Sequence, residues 1–260
     1  MTHAQPIPGG TPPVRAVQLA EAIAAELRRR ILDGEMRPGD LLPKLEDLVA
    51  EFSTSRVTAR DALRILEMEG LVSVRRGRLG GAVVRTPKAT NAAHSLGVIL
   101  RTQDVPLGDV SAAIQLIEPT CVALCAARPD RDTEIVPALW DVQQRARLAQ
   151  NDPVRFAELS AAFHAVLVRG CGNATLIVLL DALESLWTSN AGAWAQSKGR
   201  RRDEFPDAQY PSRLLKEHET LLRHVSRGAV QAARGAAEKH LAWVSSYVTE
   251  PDVVLKPPGG

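Results

Sequence analysis

Two short runs at helical spacing, joined by only two residues, constrain this chain more than any other feature. The first covers about Lys44 to Phe52. The second opens at Ser55 and continues Arg56-Val57-Thr58-Ala59-Arg60-Asp61-Ala62-Leu63-Arg64. Ser53-Thr54 connect them, and two helices so closely linked form a helix-turn-helix. Ser55 suits an N-cap, because its hydroxyl accepts a bond from an otherwise unpaired backbone N–H. Ala59, Ala62, Leu63 and Leu66 make an apolar stripe, while Arg56, Arg60 and Arg64 recur on another face. An apolar back and a basic front suit a DNA major groove, where Arg pairs bidentately with guanine and Ser, Thr and Arg hold phosphates. The same pattern also describes an ordinary surface helix with a solvated charged face. The flanking residues decide between the two.

Upstream, Leu19, Ile23, Leu27 and Ile31 mark the buried stripe of a helix over about 17–33, stopped by Gly34. Arg37-Pro38-Gly39-Asp40 is a turn. Downstream, Leu71-Val72-Ser73-Val74 and Ala82-Val83-Val84 read as two strands around a basic, glycine-rich tip. That is a two-stranded β wing, whose glycines allow close approach to a phosphate or a minor groove. No Gly-Lys-Ser/Thr follows and no helix begins there, which excludes a P-loop.

The net charge is +2: residues 1–85 hold 13 Lys/Arg against 11 Asp/Glu, and residues 86–260 hold 19 of each. A DNA binder so weakly charged depends on where its few arginines stand. At 260 residues the chain has room for about two domains. Aromatics at 4% argue against a stacking platform for single strands. The cysteines, Cys121, Cys125 and Cys171, are odd in number and lack a secretory leader, so a reducing, cytoplasmic setting is expected. Cys121 and Cys125 read as small buried residues rather than metal ligands. The most apolar run, Leu176 to Leu180, is cut by Asp181 and is too short to span a bilayer, so no membrane association is expected.

The expected organisation is mainly α. A disordered arm covers 1–14, a winged helix-turn-helix 15–85, a linker 86–92, an all-helical bundle 93–250 and a flexible tail 251–260. About seven helices are placed in the bundle, near 93–103, 107–128, 131–149, 153–170, 173–197, 210–226 and 229–249. Pro119 falls inside the second of them and should kink it. Arg200-Arg201-Arg202 reads as a solvated loop.

Residues 17–85 resemble the winged helix-turn-helix of the GntR family of bacterial transcription factors. The resemblance rests on Ile31-Leu32-Asp33-Gly34, Arg37-Pro38-Gly39-Asp40, Leu42-Pro43, Ser55 to Leu63, Leu66-Glu67-Met68-Glu69-Gly70-Leu71-Val72 and Arg76-Gly77. It implies that Ser55, Arg56, Thr58, Arg60, Arg76 and Gly77 contact DNA. One departure stands out. Where the family has Ser/Ala-Glu-Arg-Glu-Leu, with the Arg on DNA, this chain has Lys44-Leu45-Glu46-Asp47-Leu48. Glu46 cannot hold a phosphate, so either Lys44 substitutes or the operator differs from the family's usual one.

The helical half resembles the ligand-sensing, FCD-type domain of the FadR subfamily. The matching residues are Leu116-Ile117-Glu118-Pro119, Phe163-His164, Gly172-Asn173-Ala174-Thr175-Leu176, Glu217-His218, Ala232-Ala233 and His240-Leu241. The resemblance implies a ligand-responsive regulator, most often a repressor, that binds an inverted-repeat operator in double-stranded DNA as a homodimer. It also implies a divalent metal, Zn or Ni, on His164, His218 and His240. The usual Asp ligand position is Ser160, and an Arg that meets acidic ligands in relatives is Gln115. These two and the histidines are the expected effector-binding residues, for an organic acid or a more lipophilic metabolite. Against metal binding stands the possibility that each His only hydrogen-bonds inside the bundle or to an effector. The enzymatic alternative is a helical metal-dependent hydrolase on the three His, with Glu158 or Glu217 as acid or base. No His-Glu-x-x-His motif supports it.

Overall fold

The computed structural model describes residues 14–75, 81–197 and 205–246. The arm up to residue 13, the wing tip with Arg76 and Gly77, the loop with Arg200 to Arg202 and the tail lie outside the described residues. The chain divides into two units between Asn91 and Ala92.

The N-terminal unit is built from α1 (Val14–Leu32), α2 (Leu45–Glu51), α3 (Arg56–Met68) and an antiparallel pair, β1 (Val72–Arg75) and β2 (Gly81–Val84). Its core joins Ile23, Ala24 and Leu27 of α1 to Leu48 of α2 and to Ala59, Ala62, Leu63 and Leu66 of α3. Leu19, expected inside, is exposed, and Ala20 takes its place in the buried stripe. The segment before α2 lies along β2. Leu42 N–H donates to Ala82 O at 2.8 Å and Val84 N–H to Asp40 O at 2.9 Å. Gly39 makes the turn into it at φ +101°, a backbone state other residues rarely adopt. At the end of α3, Gly70 adopts φ +75°, and a Cβ there would stand 2.6 Å from the Asn91 side chain.

The C-terminal unit is all-helical: α4 (Ala89–Thr102), whose first residues to Asn91 still belong to the N-terminal unit, α5 (Leu107–Ala127), α6 (Arg131–Glu134), α7 (Val136–Leu148), α8 (Pro153–Gly170), α9 (Ala174–Ser197), α10 (Tyr210–Ser226) and α11 (Val230–Ser245). Here α4 starts at Ala89, so the expected linker to residue 92 is shorter than the sequence suggested. The helix expected over 131–149 is broken at Ile135, because Pro137 has no N–H to continue it and instead sits in the first turn of α7. Eight helices are therefore described where about seven were expected.

Central to the bundle is α5, packed against α8, α9, α10 and α11, and it continues through Pro119. It corrects the reading of the most apolar run. Among the described residues this is the helix long and apolar enough to cross a bilayer, yet more than half of that stretch is buried inside the protein. Its apolarity serves the core. Cys121 and Cys125 lie on its buried side. Burial raises the Cys125 thiol to about 12, and its Sγ donates to Leu167 O, so it packs as an inert small residue.

Candidate functional site

On α3 the cap forms as expected: Ser55 Oγ accepts from Thr58 N at 3.1 Å. The Thr58 hydroxyl lies 2.9 Å from Ser55 Oγ, and Thr58 is only 7% exposed. Thr58 is thus occupied in the cap, on the inner side of the helix. Arg56, Arg60 and Arg64 all stand outside. Arg56 Nη2 donates to Glu46 Oε1 at 2.8 Å and Arg64 Nη1 to Asp61 Oδ1 at 3.1 Å. Among the described residues Arg60 pairs with no carboxylate. Val57 is exposed on the same outer face, an apolar side chain beside basic ones. Lys44 is exposed at the start of α2, with its backbone N–H donating to Asp47 Oδ2 at 3.2 Å. The wing is tied to α3, since Val74 N–H donates to Glu67 Oε1 at 2.8 Å.

In the C-terminal unit, α8, α10 and α11 bring His164, His218 and His240 together, with one nitrogen of each lying within 4.8 Å of the others. His164 Nε2 and His240 Nε2 are 3.2 Å apart. The Nδ1 atoms of both point away, toward carboxylates: His164 to Glu118 Oε1 at 2.5 Å and His240 to Glu217 Oε2 at 2.8 Å. A carboxylate accepts, so each Nδ1 carries the proton, and in neutral rings both Nε2 lone pairs face each other. That arrangement requires a cation or a proton between them. His218 is fully buried, stacked on Phe163 at a centroid distance of 4.1 Å, and neither ring nitrogen has a hydrogen-bond partner among the described residues. Two orphaned buried nitrogens beside a facing Nε2 pair fit a divalent ion. Two imidazoles on one tetrahedral Zn would stand about 3.3 Å apart, close to the spacing found.

The charges follow the same geometry. Burial depresses the His164 imidazolium, but the charge of Glu118 and its hydrogen bond outweigh this and raise its pKa. Burial drives His218 well below its ordinary value, helped by His240 and His164. Burial also lowers His240, with Glu217 opposing. Glu217 itself is held low despite burial, by hydrogen bonds from His240 and Arg213. Of the facing pair, His164 therefore holds a proton more readily than His240. Glu184 on α9 is raised to about 7 by burial and by Glu118.

Sequence reasoning assigned Glu118 and Glu217 no part in holding the histidines. Their partners are 46 and 23 residues away, so spacing gave no signal. Gln115 and Ser160 are half-buried. Gln115 donates to Ser111 Oγ at 3.2 Å, and neither residue hydrogen-bonds a histidine of the trio. An open cleft of about 630 Å³ beside Asn151, Pro153, Phe205 and Pro211 includes none of the three histidines.

Residues 19–83 match the family described as "Bacterial regulatory proteins, gntR family", and residues 109–242 match the "FCD domain". The chain is 28% identical over 217 residues to the Uxu operon regulator of Haemophilus influenzae, covering 83% of this chain and 76% of that protein. It is 26% identical over 226 residues to the Exu regulon transcriptional regulator of Escherichia coli K12, covering 86% and 82%. Among solved structures it is similar to Streptococcus agalactiae GntR, with a TM-score of 0.58 at 21% identity, over 87% of this chain and 99% of that one. At that identity the likeness speaks for the fold.

Proposed function

The chain belongs to the gntR family of bacterial regulatory proteins, with an FCD domain behind its winged helix, and from that premise we propose a ligand-responsive, DNA-binding transcriptional regulator. The observation that carries the reading is the outer face of α3. Arg56, Val57, Arg60 and Arg64 stand exposed on a helix whose other side is locked into the core. Arg56 and Arg60 take base edges, Ser55 and Lys44 lie near phosphates, and Arg76 and Gly77 of the wing reach the adjacent groove. Thr58 serves by shaping the cap.

The finer reading is a cytoplasmic repressor, acting as a homodimer on an inverted repeat. His164, His218 and His240 would hold a Zn or Ni ion, which supplies an electrophilic anchor for an effector oxygen. Glu118 and Glu217 keep the Nδ1 protons of His164 and His240 and so aim both Nε2 atoms inward. Gln115 and Ser160 carry no charge, which favours a less acidic or more lipophilic effector over a small dicarboxylate. The effector acts by binding one placement of the paired DNA-binding units better than the other.

The hydrolase alternative has no support. Glu118 and Glu217 are engaged on histidine Nδ1 atoms, and Glu158 is an exposed partner of Arg155. None of them stands free as a general base.

Selection of duplexes from a randomised pool by the purified protein tests the reading. An enriched inverted repeat, bound by two copies and released by a candidate effector, is the expected result. No enrichment at low salt would refute DNA reading. Tight, releasing binding of a small dicarboxylate would refute the effector class.

A further inference from the structure

Glu46 occupies the position where the family resemblance implies an arginine on DNA, and the structure gives it a partner. Arg56 Nη2 donates to Glu46 Oε1 at 2.8 Å, with both side chains well exposed. Of the three arginines on the front of α3, Arg64 turns to Asp61 on its own helix, and Arg60 meets no carboxylate among the described residues. Arg56 alone is tied to the neighbouring helix. The two acidic residues that open α2 divide the work. Asp47 closes the helix by accepting the Lys44 N–H, and Glu46 reaches across to α3. Buried Leu48 beneath α2 and Ala59 and Ala62 beneath α3 hold the two helices in register behind the pair.

An exposed ion pair contributes little to stability, so a purpose in folding is a poor account of it. Orientation is a better one. A guanidinium has five donors in one rigid plane, and a carboxylate on one Nη2 leaves the others free while restricting the plane's rotation. The same carboxylate repels the phosphate backbone, which weakens binding that does not depend on sequence.

We infer that Glu46 is a positioning residue that holds Arg56 for one guanine-bearing base pair in the major groove and keeps it off the phosphates. This rests on α3 being the reading helix, as proposed above. Non-specific affinity is lower and discrimination at that base pair is sharper than with a basic residue at position 46.

The test uses the full chain and the duplex it selects from a randomised pool. Affinities for that duplex, for its single-base-pair variants and for an unrelated duplex are measured across salt. The proteins are wild type, Glu46→Gln, Arg56→Ala and the double variant, with thermal melts confirming that each is folded. Wild type should lose about 5- to 150-fold when the base pair under Arg56 is changed. Glu46→Gln and Arg56→Ala should each flatten that loss, at the same base pair only, and the two effects should not add. Glu46→Gln should also bind the unrelated duplex more tightly, with a salt slope steeper by up to about one. If Arg56→Ala flattens the loss and Glu46→Gln leaves both discrimination and unrelated-duplex binding unchanged, the inference is overturned while α3 still reads DNA. If Arg56→Ala, Arg60→Ala and wild type are equally indifferent to every base pair, the reading of α3 falls and the inference with it.

Discussion

On α3 the charged side chains face water: Arg56 and Glu46 are 64% and 60% exposed. In the histidine centre Glu118 and its partner His164 are 3% and 14% exposed, and His240 and its partner Glu217 are 1% and 26% exposed. Exposed pairs are screened by solvent and exchange partners at little cost. Buried ones hold their geometry because losing a partner leaves a polar group unsatisfied. The contrast teaches a division of labour. The outer face leaves its arginines open to a partner from solvent, with Glu46 limiting how Arg56 turns, whereas the inner histidines are aimed by carboxylates that burial shields from exchange.

The largest effect that tests this contrast lies beneath the outer face rather than on it. Leu66→Ala, at a fully buried position, should cost about 2–5 kcal/mol in urea unfolding, while Arg64→Ala should stay within about 0.5 kcal/mol. Similar costs for the two would break the distinction between core and reading face. Next, Glu217→Gln should weaken Zn binding about 10- to 100-fold in chelator competition. Unchanged affinity would mean that the carboxylate does not orient His240.

Smaller, and dependent on pH, is the effect of Glu184. Its folded value of about 7 exceeds its unfolded value near 4.5, so its contribution to stability is complete at low pH and is lost as pH rises toward 7. Glu184→Gln should therefore gain about 1–2 kcal/mol over wild type on moving from pH 5 to pH 8, allowing for partial exposure. Equal differences at both pH values would contradict its burial as an acid. Smallest is Ser55→Ala, which removes the cap and should cost about 1 kcal/mol.

Much of the N-terminal unit was legible because its signals are local. Ser55 as a cap and the stripe from Ala59 to Leu66 follow from spacing within one helix. Leu19 and Ala20 exchanged roles because periodicity names a face, not which neighbour fills it. Thr58 carried the right chemistry for DNA, but its place in the cap depends on its rotation about the helix. In the C-terminal unit the three histidines were reached through resemblance, on residues 54 and 22 positions apart, which no periodicity joins. The carboxylates behind them stayed hidden for the same reason. Pro137 could have warned of the break at Ile135, since a proline reads as readily as a helix start as a helix interior. The pair of Glu46 with Arg56 was visible only as an anomaly, an acid where a base was expected.

The most direct measurement is the affinity of Arg60→Ala for the selected duplex across salt, beside that of wild type. The account predicts a loss of about 1–3 kcal/mol on that duplex, with an unchanged melting temperature. Binding indistinguishable from wild type at every salt concentration would contradict the assignment of α3 as the surface that reads DNA.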